Sequence, residues 1–281
     1  MNQDYTINNQ ATVGMEEQMR QAPRLHTISE YYSDAWEFLK NRWLNTALFS
    51  LIATFCISMI LSICYGIIYF IGIIAALFGG TAIAIYFDNI KDGDESLFYT
   101  SIIAIVIIIA IIFVIVYLLF ILISILGIGP LNYGRCNGML ISKRVGKDAD
   151  ISNIFLAKDN YANVVKVTAW HTFYITLWSL LFFIPGIIKR YSYALTYYIR
   201  YDNSELSSNE CIELSMKMMD GHKMDLFLLH LTFVGFSFIG TFTCGLANFF
   251  LVPFMDIIMA QFYEDVKAKY EYQQSLFGVR H

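Results

Sequence analysis

From Leu97 to Ile128 the chain carries no charged residue, and from Thr46 to Phe87 it again carries none. A helix needs about 20 apolar residues to cross the ~30 Å hydrocarbon core of a bilayer, and each run is longer than that. Both are continuous in apolar side chains rather than alternating, which excludes a transmembrane β-barrel. In hydrocarbon, backbone donors and acceptors must be satisfied within the segment, so such runs form helices. Composition agrees: 57% of residues are hydrophobic and 15% charged, against about 25% charged in soluble domains, and the mean hydropathy is +0.53. The fold class expected is all-α, a polytopic membrane helix bundle of about six transmembrane helices.

Four regions follow from the order of these signals. Residues 1–26, rich in Asn, Gln, Glu and Met, read as a disordered cytoplasmic tail. Thr27 and Glu30 form a capping-box pattern, and Ile28, Tyr32, Ala35, Trp36, Leu39 and Trp43 then fall on one helical stripe. Residues 27–45 therefore read as an amphipathic helix, either lying on the cytoplasmic interface or docked on the rest of the protein. The bundle is placed at 46–266, with spans at about 46–68, Leu97–Ile128, Tyr161–Ile184, Gly186–Tyr201, Met224–Thr243 and Leu246–Val266. Residues 69–87, punctuated by glycines, extend the first span, form a re-entrant excursion or add a crossing. Residues 267–281 read as a cytoplasmic C-terminal tail. The basic stretch Arg135, Lys143, Arg144, Lys147, Lys158 belongs inside and the acidic 88–95 segment outside, so both termini are expected in the cytoplasm.

Pro185-Gly186 interrupts the third apolar run and predicts a broken helix pair, because proline removes a donor and glycine loosens the backbone. Lys189 and Arg190, just past the break, are candidates for holding an anion or a lipid head group. Ionisable groups at bilayer depth cost at least about 2.5–3.5 kcal/mol for Asp, Lys or Arg, so each invites a functional reading. His171, His230, Asp256 and the polar Asn248 form the candidate intramembrane polar site. His230 and Asp256 are expected to face each other across the last two helices, to relay a proton or bind a cation, or as a structural pair making interhelical hydrogen bonds. Gly134 and Gly138 have GxxxG spacing, a weak packing signal among polar neighbours.

The net charge of −4 excludes a nucleic-acid partner. No P-loop, HExxH or nucleophile elbow is present, and the five cysteines lack metal-ligand spacing. An enzyme is not expected, nor are a metal and a cofactor.

LWSLLFFIPGIIKRYSY at 177–193, SMKMMDGHKMDLF at 215–227, FVGF at 233–236, LVPFMDIIMAQFY at 251–263 and GPLNYG at 129–134 together resemble a bacterial integral-membrane family called domain of unknown function 975. The resemblance implies a multi-pass protein of the bacterial cytoplasmic membrane and no established reaction. The function expected is a non-enzymatic accessory or regulatory component of a membrane export, envelope-stress or peptide-immunity system. The alternative is a small transporter or channel-like protein that uses the broken helix. Expected partners are the lipid bilayer, other membrane proteins or a second copy of the chain.

Overall fold

Thr27 accepts a hydrogen bond from the Glu30 N–H, and the Glu30 carboxylate accepts one from the Thr27 N–H, so the capping box opens α1, Ile28–Lys40. The computed structural model describes residues 23–89, 95–241 and 246–277, which are all-helical with no strand among them. After α1 come α2 (Trp43–Asn89), α3 (Glu95–Ile123), a π-helical turn (Ser124–Ile128) and α4 (Gly129–Val145). A pair of 3₁₀ turns meeting at Phe155 (Ile151–Asn160) leads to α5 (Tyr161–Leu181), α6 (Phe183–Ser192) and α7 (Thr196–Asp202). The chain finishes with α8 (Ser208–Met218), α9 (Lys223–Thr241) and α10 (Leu246–Phe277).

The apolar helices are longer than the sequence leads one to expect. α2 is one helix of 47 residues, roughly 70 Å at 1.5 Å per residue, and neither Gly66 nor Gly72 interrupts it. An apolar run offers its backbone no competing polar partner, so each glycine costs about 1 kcal/mol relative to alanine without ending the helix. The second run does not close at Gly129-Pro130 either. The π-helical turn widens the helix just ahead of Pro130, which enters the first turn of α4 where its missing donor is not needed. Among the described residues, two stretches are long and apolar enough to cross a membrane, Trp43–Ile73 and Val106–Val145. The acidic segment at 90–94 and the Cys244-Gly245 turn lie outside the described residues.

The break expected at Pro185-Gly186 sits three residues earlier. Phe182 adopts an extended conformation, φ −157° and ψ 142°, between α5 and α6. Pro185 lies in the first turn of α6, where proline is tolerated. Gly186 is buried because α6 folds back on α5: a Cβ there would stand 2.7 Å from Ser179 Oγ and 2.9 Å from Ser179 Cα. The stretch 186–201, expected as a fourth span, is two short helices joined through a bend at Tyr193–Leu195. α8 opens on the Ser207–Glu210 capping box, and Gly221 follows it with φ +79°. α10 passes through Pro253 and continues beyond Val266 to Phe277, so most of the expected tail is helix.

The exposed large apolar side chains concentrate in Phe55–Ile73, Ile103–Leu126, Trp170–Ile188 and Leu228–Phe250. The ion pairs lie elsewhere, within residues 24–34, 135–144, 200–225 and 256–271. The main core belongs to this charged zone: Leu39, Phe49, Met139, Leu140, Leu195, Tyr198, Phe262 and Tyr263 are all but inaccessible. α1 is docked on the protein. Tyr31, Ala35 and Leu39 are its buried face, with Trp36 exposed, and the Tyr31 hydroxyl donates to Asp265 at 2.6 Å. Arg24 and His26, from the stretch expected to be disordered, bind Glu30 and Asp265.

Candidate functional site

Among the described residues, Asp256 is the most deeply buried carboxylate with a charged partner from another helix, and its neighbours come from two elements distant in sequence. Arg135 of α4 places Nη2 3.1 Å from Asp256 Oδ1, and Ser50 of α2 donates from Oγ to Oδ2 at 2.9 Å. Thr46, Ser50 and Thr54 are spaced four apart, so they share the face of α2 turned to this cluster. The close approach of α4 is set by its glycines. A Cβ on Gly138 would meet the Phe49 ring at 2.4 Å, and one on Gly134 would meet the Ile154 carbonyl oxygen at 2.0 Å. The Gly134–Gly138 spacing thus serves close packing, with the cation Arg135 carried between the two.

Further along, the same two helices repeat the pattern. Lys143 donates to Gln261, and Arg144 donates to Glu264 and to Asp202. Because 135, 143 and 144 meet 256, 261 and 264 in order, α4 and α10 run parallel. Asn45 donates to Asp148 at 2.6 Å, so α2 is antiparallel to α4. Asp202, at the end of α7, accepts from Arg144, Lys267 and the Tyr263 hydroxyl at 2.6 to 2.8 Å. Burial would raise this carboxyl, but those three donors hold it well below the usual carboxylate range. Asp265 accepts from Tyr31 and from Gln261 at 2.8 Å, and His26 Nδ1 stands 2.6 Å from it. Burial, reinforced by Asp265, pushes the Tyr31 hydroxyl far up.

The expected His230–Asp256 pair does not form. His230 Nδ1 bonds the Leu226 carbonyl of its own helix at 2.9 Å, and the ring packs edge-on against Tyr191. The physical reason is Arg135: a guanidinium within reach is a stronger partner for a carboxylate than a neutral imidazole. His171 lies apart from both, its ring 5.5 Å from Tyr197 and 6.1 Å from Tyr193. The side chain of Asn248 lies outside the described residues. Lys189 and Arg190 do not form a joint anion clamp. Lys189 Nζ sits 5.0 Å from the Trp178 ring centroid and 3.8 Å from Met216 Sδ, whereas Arg190 is exposed. Among the described residues, no group of three His, Cys, Asp or Glu side chains could hold a metal ion.

Arg135 and Ser50 are the members that sequence reasoning missed. Arg135 counts as one more loop cation until α4 is seen to be helical and parallel to α10. Ser50 carried a signal in the Thr46–Ser50–Thr54 spacing.

The chain matches, over residues 25–270, the model of a family described as "Protein of unknown function (DUF975)". It belongs to that family. No curated protein and no solved structure matches it.

Proposed function

We propose that this DUF975 member is a multi-pass protein of the bacterial cytoplasmic membrane that acts without catalysis. Its role would be accessory or regulatory, within an export, envelope-stress or peptide-immunity system. The observation that carries the reading is the state of Asp256. A carboxylate that relays protons or carries cations must be free to exchange partners, whereas this one is held by a guanidinium and a hydroxyl from two other helices. Breaking such a pair leaves an uncompensated buried charge, so the cluster acts as a clamp on α2, α4 and α10. The transporter reading takes the broken helix at Pro185-Gly186 as its site and the His230–Asp256 pair as its residue-level support. It has weaker support, because Gly186 is closed against Ser179.

Six crossings fit this reading: α2, the α3–α4 rod, α5, α6 with α7, α9 and α10. The Asn45–Asp148, Arg144–Asp202 and Tyr31–Asp265 contacts gather the ends of alternate crossings at one level. The basic residues of that level favour its lying on the cytoplasmic side. The test of function is purification in mild detergent from the native membrane. We expect a stoichiometric partner protein to co-purify. A chain that purifies alone and moves a solute or ion across proteoliposomes, in a manner lost in Asp256→Asn, would overturn the proposal.

A further inference from the structure

A groove of about 740 Å³ opens where the apolar belt meets the charged zone, within the ~300–1,000 Å³ range of small-molecule sites. Its walls come from four elements: Ile60 of α2, Leu126 and Gly127 of the π-helical turn, Leu131 of α4, and Phe155 with Ala157 of the 3₁₀ segment. At one rim stand Lys158 and Tyr161.

The π-helical turn is a specific piece of construction here. Tyr161 donates its hydroxyl to the Leu126 carbonyl at 2.5 Å, which satisfies a backbone acceptor in the widened turn. Gly127 keeps the floor low, since a Cβ there would press on Ile60 at 3.3 Å. Lys158 is the one charged residue lining the groove; it is exposed and makes no ion pair among the described residues. Asp159 follows it in sequence but does not line the groove. Tyrosine and lysine together mark head-group depth.

We propose that this groove holds one anionic glycerophospholipid, with an acyl chain lying along Ile60, Leu126 and Leu131 and the head-group phosphate at Lys158. An apolar trough with a single unpaired cation at its polar end matches an amphiphile of that charge. The head-group contact thus lies at Lys158, not at Lys189, whose ammonium is engaged by Trp178. The inference rests on the membrane reading above but not on the accessory role.

The test is native mass spectrometry of the purified full chain in detergent, with equal amounts of dioleoylphosphatidylglycerol and dioleoylphosphatidylcholine added. One lipid should be retained per chain, with phosphatidylglycerol preferred by about fivefold, the worth of one interfacial cation. Lys158→Glu, at an exposed position, should keep the fold and abolish the preference. Ile60→Trp, which fills the trough, should release the lipid altogether while leaving the chain in the membrane fraction. Equal retention of the two lipids by the unmodified chain, or a preference that survives Lys158→Glu, would overturn the proposal. So would a lipid-free dimer covering the groove. A chain found outside the membrane fraction would fail the membrane reading as well, whereas a membrane-resident chain without bound lipid fails this inference alone.

Discussion

Asp256 is 6% exposed and Arg135 reaches it with one end of its guanidinium, so each charge is compensated chiefly by the other. Removing one partner should therefore hurt more than removing both. Arg135→Ala is expected to lower stability by about 3 kcal/mol, and Arg135→Met combined with Asp256→Leu to recover most of that loss. The measurement is a thermal melt of each variant in one detergent. By contrast His230→Ala and Asp256→Ala should add to within about 0.5 kcal/mol, because the two side chains share no partner. An Arg135→Met/Asp256→Leu double variant no better than Arg135→Ala would show that the pair is not the unit. At this scale the sequence exposed the acid but not its base. An aspartate among apolar residues is conspicuous, whereas an arginine near other cations reads as a loop charge. Lys189 illustrates the same limit: its proximity to Arg190 in sequence implied a shared ligand, and Trp178, on the far side of the break at Phe182, takes its ammonium instead.

Between elements, Pro185 and Gly186 do separate jobs that their adjacency conceals. Proline stands in the first turn of α6, where an alanine fits equally well, so Pro185→Ala should cost only about 0.5 kcal/mol through added unfolded-state freedom. Gly186 lies where α6 touches α5, and any Cβ there overlaps Ser179 Oγ and Cα. Gly186→Ala should cost about 1–3 kcal/mol as overpacking. Comparing the two single variants by detergent melts decides it: a larger loss for Pro185→Ala would mean that proline, and not Phe182, makes the break. The apolar helices were legible in the sequence, although α4 was not, and both capping boxes lie where Thr27–Glu30 and Ser207–Glu210 place them. Helix ends were not. α2 runs on through its glycines, and the α3–α4 rod runs on through Gly129-Pro130, because a local signal to stop acts only where an alternative partner awaits the freed backbone groups. The π-helical turn absorbs Pro130 in a way no residue pattern announces.

For the whole molecule, the division into an apolar belt and a charged zone accounts for the first turns of α2, though not for its full length. Its first turns, with Thr46, Ala47, Phe49, Ser50 and Ala53 buried, belong to the core of the charged zone, and its exposed apolar side chains predominate only from Phe55 onward. The sequence showed the apolar runs but assigned their full length to hydrocarbon, since burial in protein and burial in lipid select the same side chains. The zone's internal ties make a sharp test of topology possible. Asn45 binds Asp148 next to Lys147, and Arg144 binds Asp202 ahead of α8, so Lys147 and the exposed Glu213 stand at one end of the bundle. In a cysteine-free background, Lys147→Cys and Glu213→Cys should both resist an impermeant maleimide in intact cells and both react in inverted vesicles. The two positions are bound to answer alike. Labelling of both in intact cells would turn the whole bundle over, placing the charged zone outside. Labelling of only one would mean that the membrane separates α4 from α8, which the Arg144–Asp202 pair forbids, and the helix arrangement itself would then be wrong.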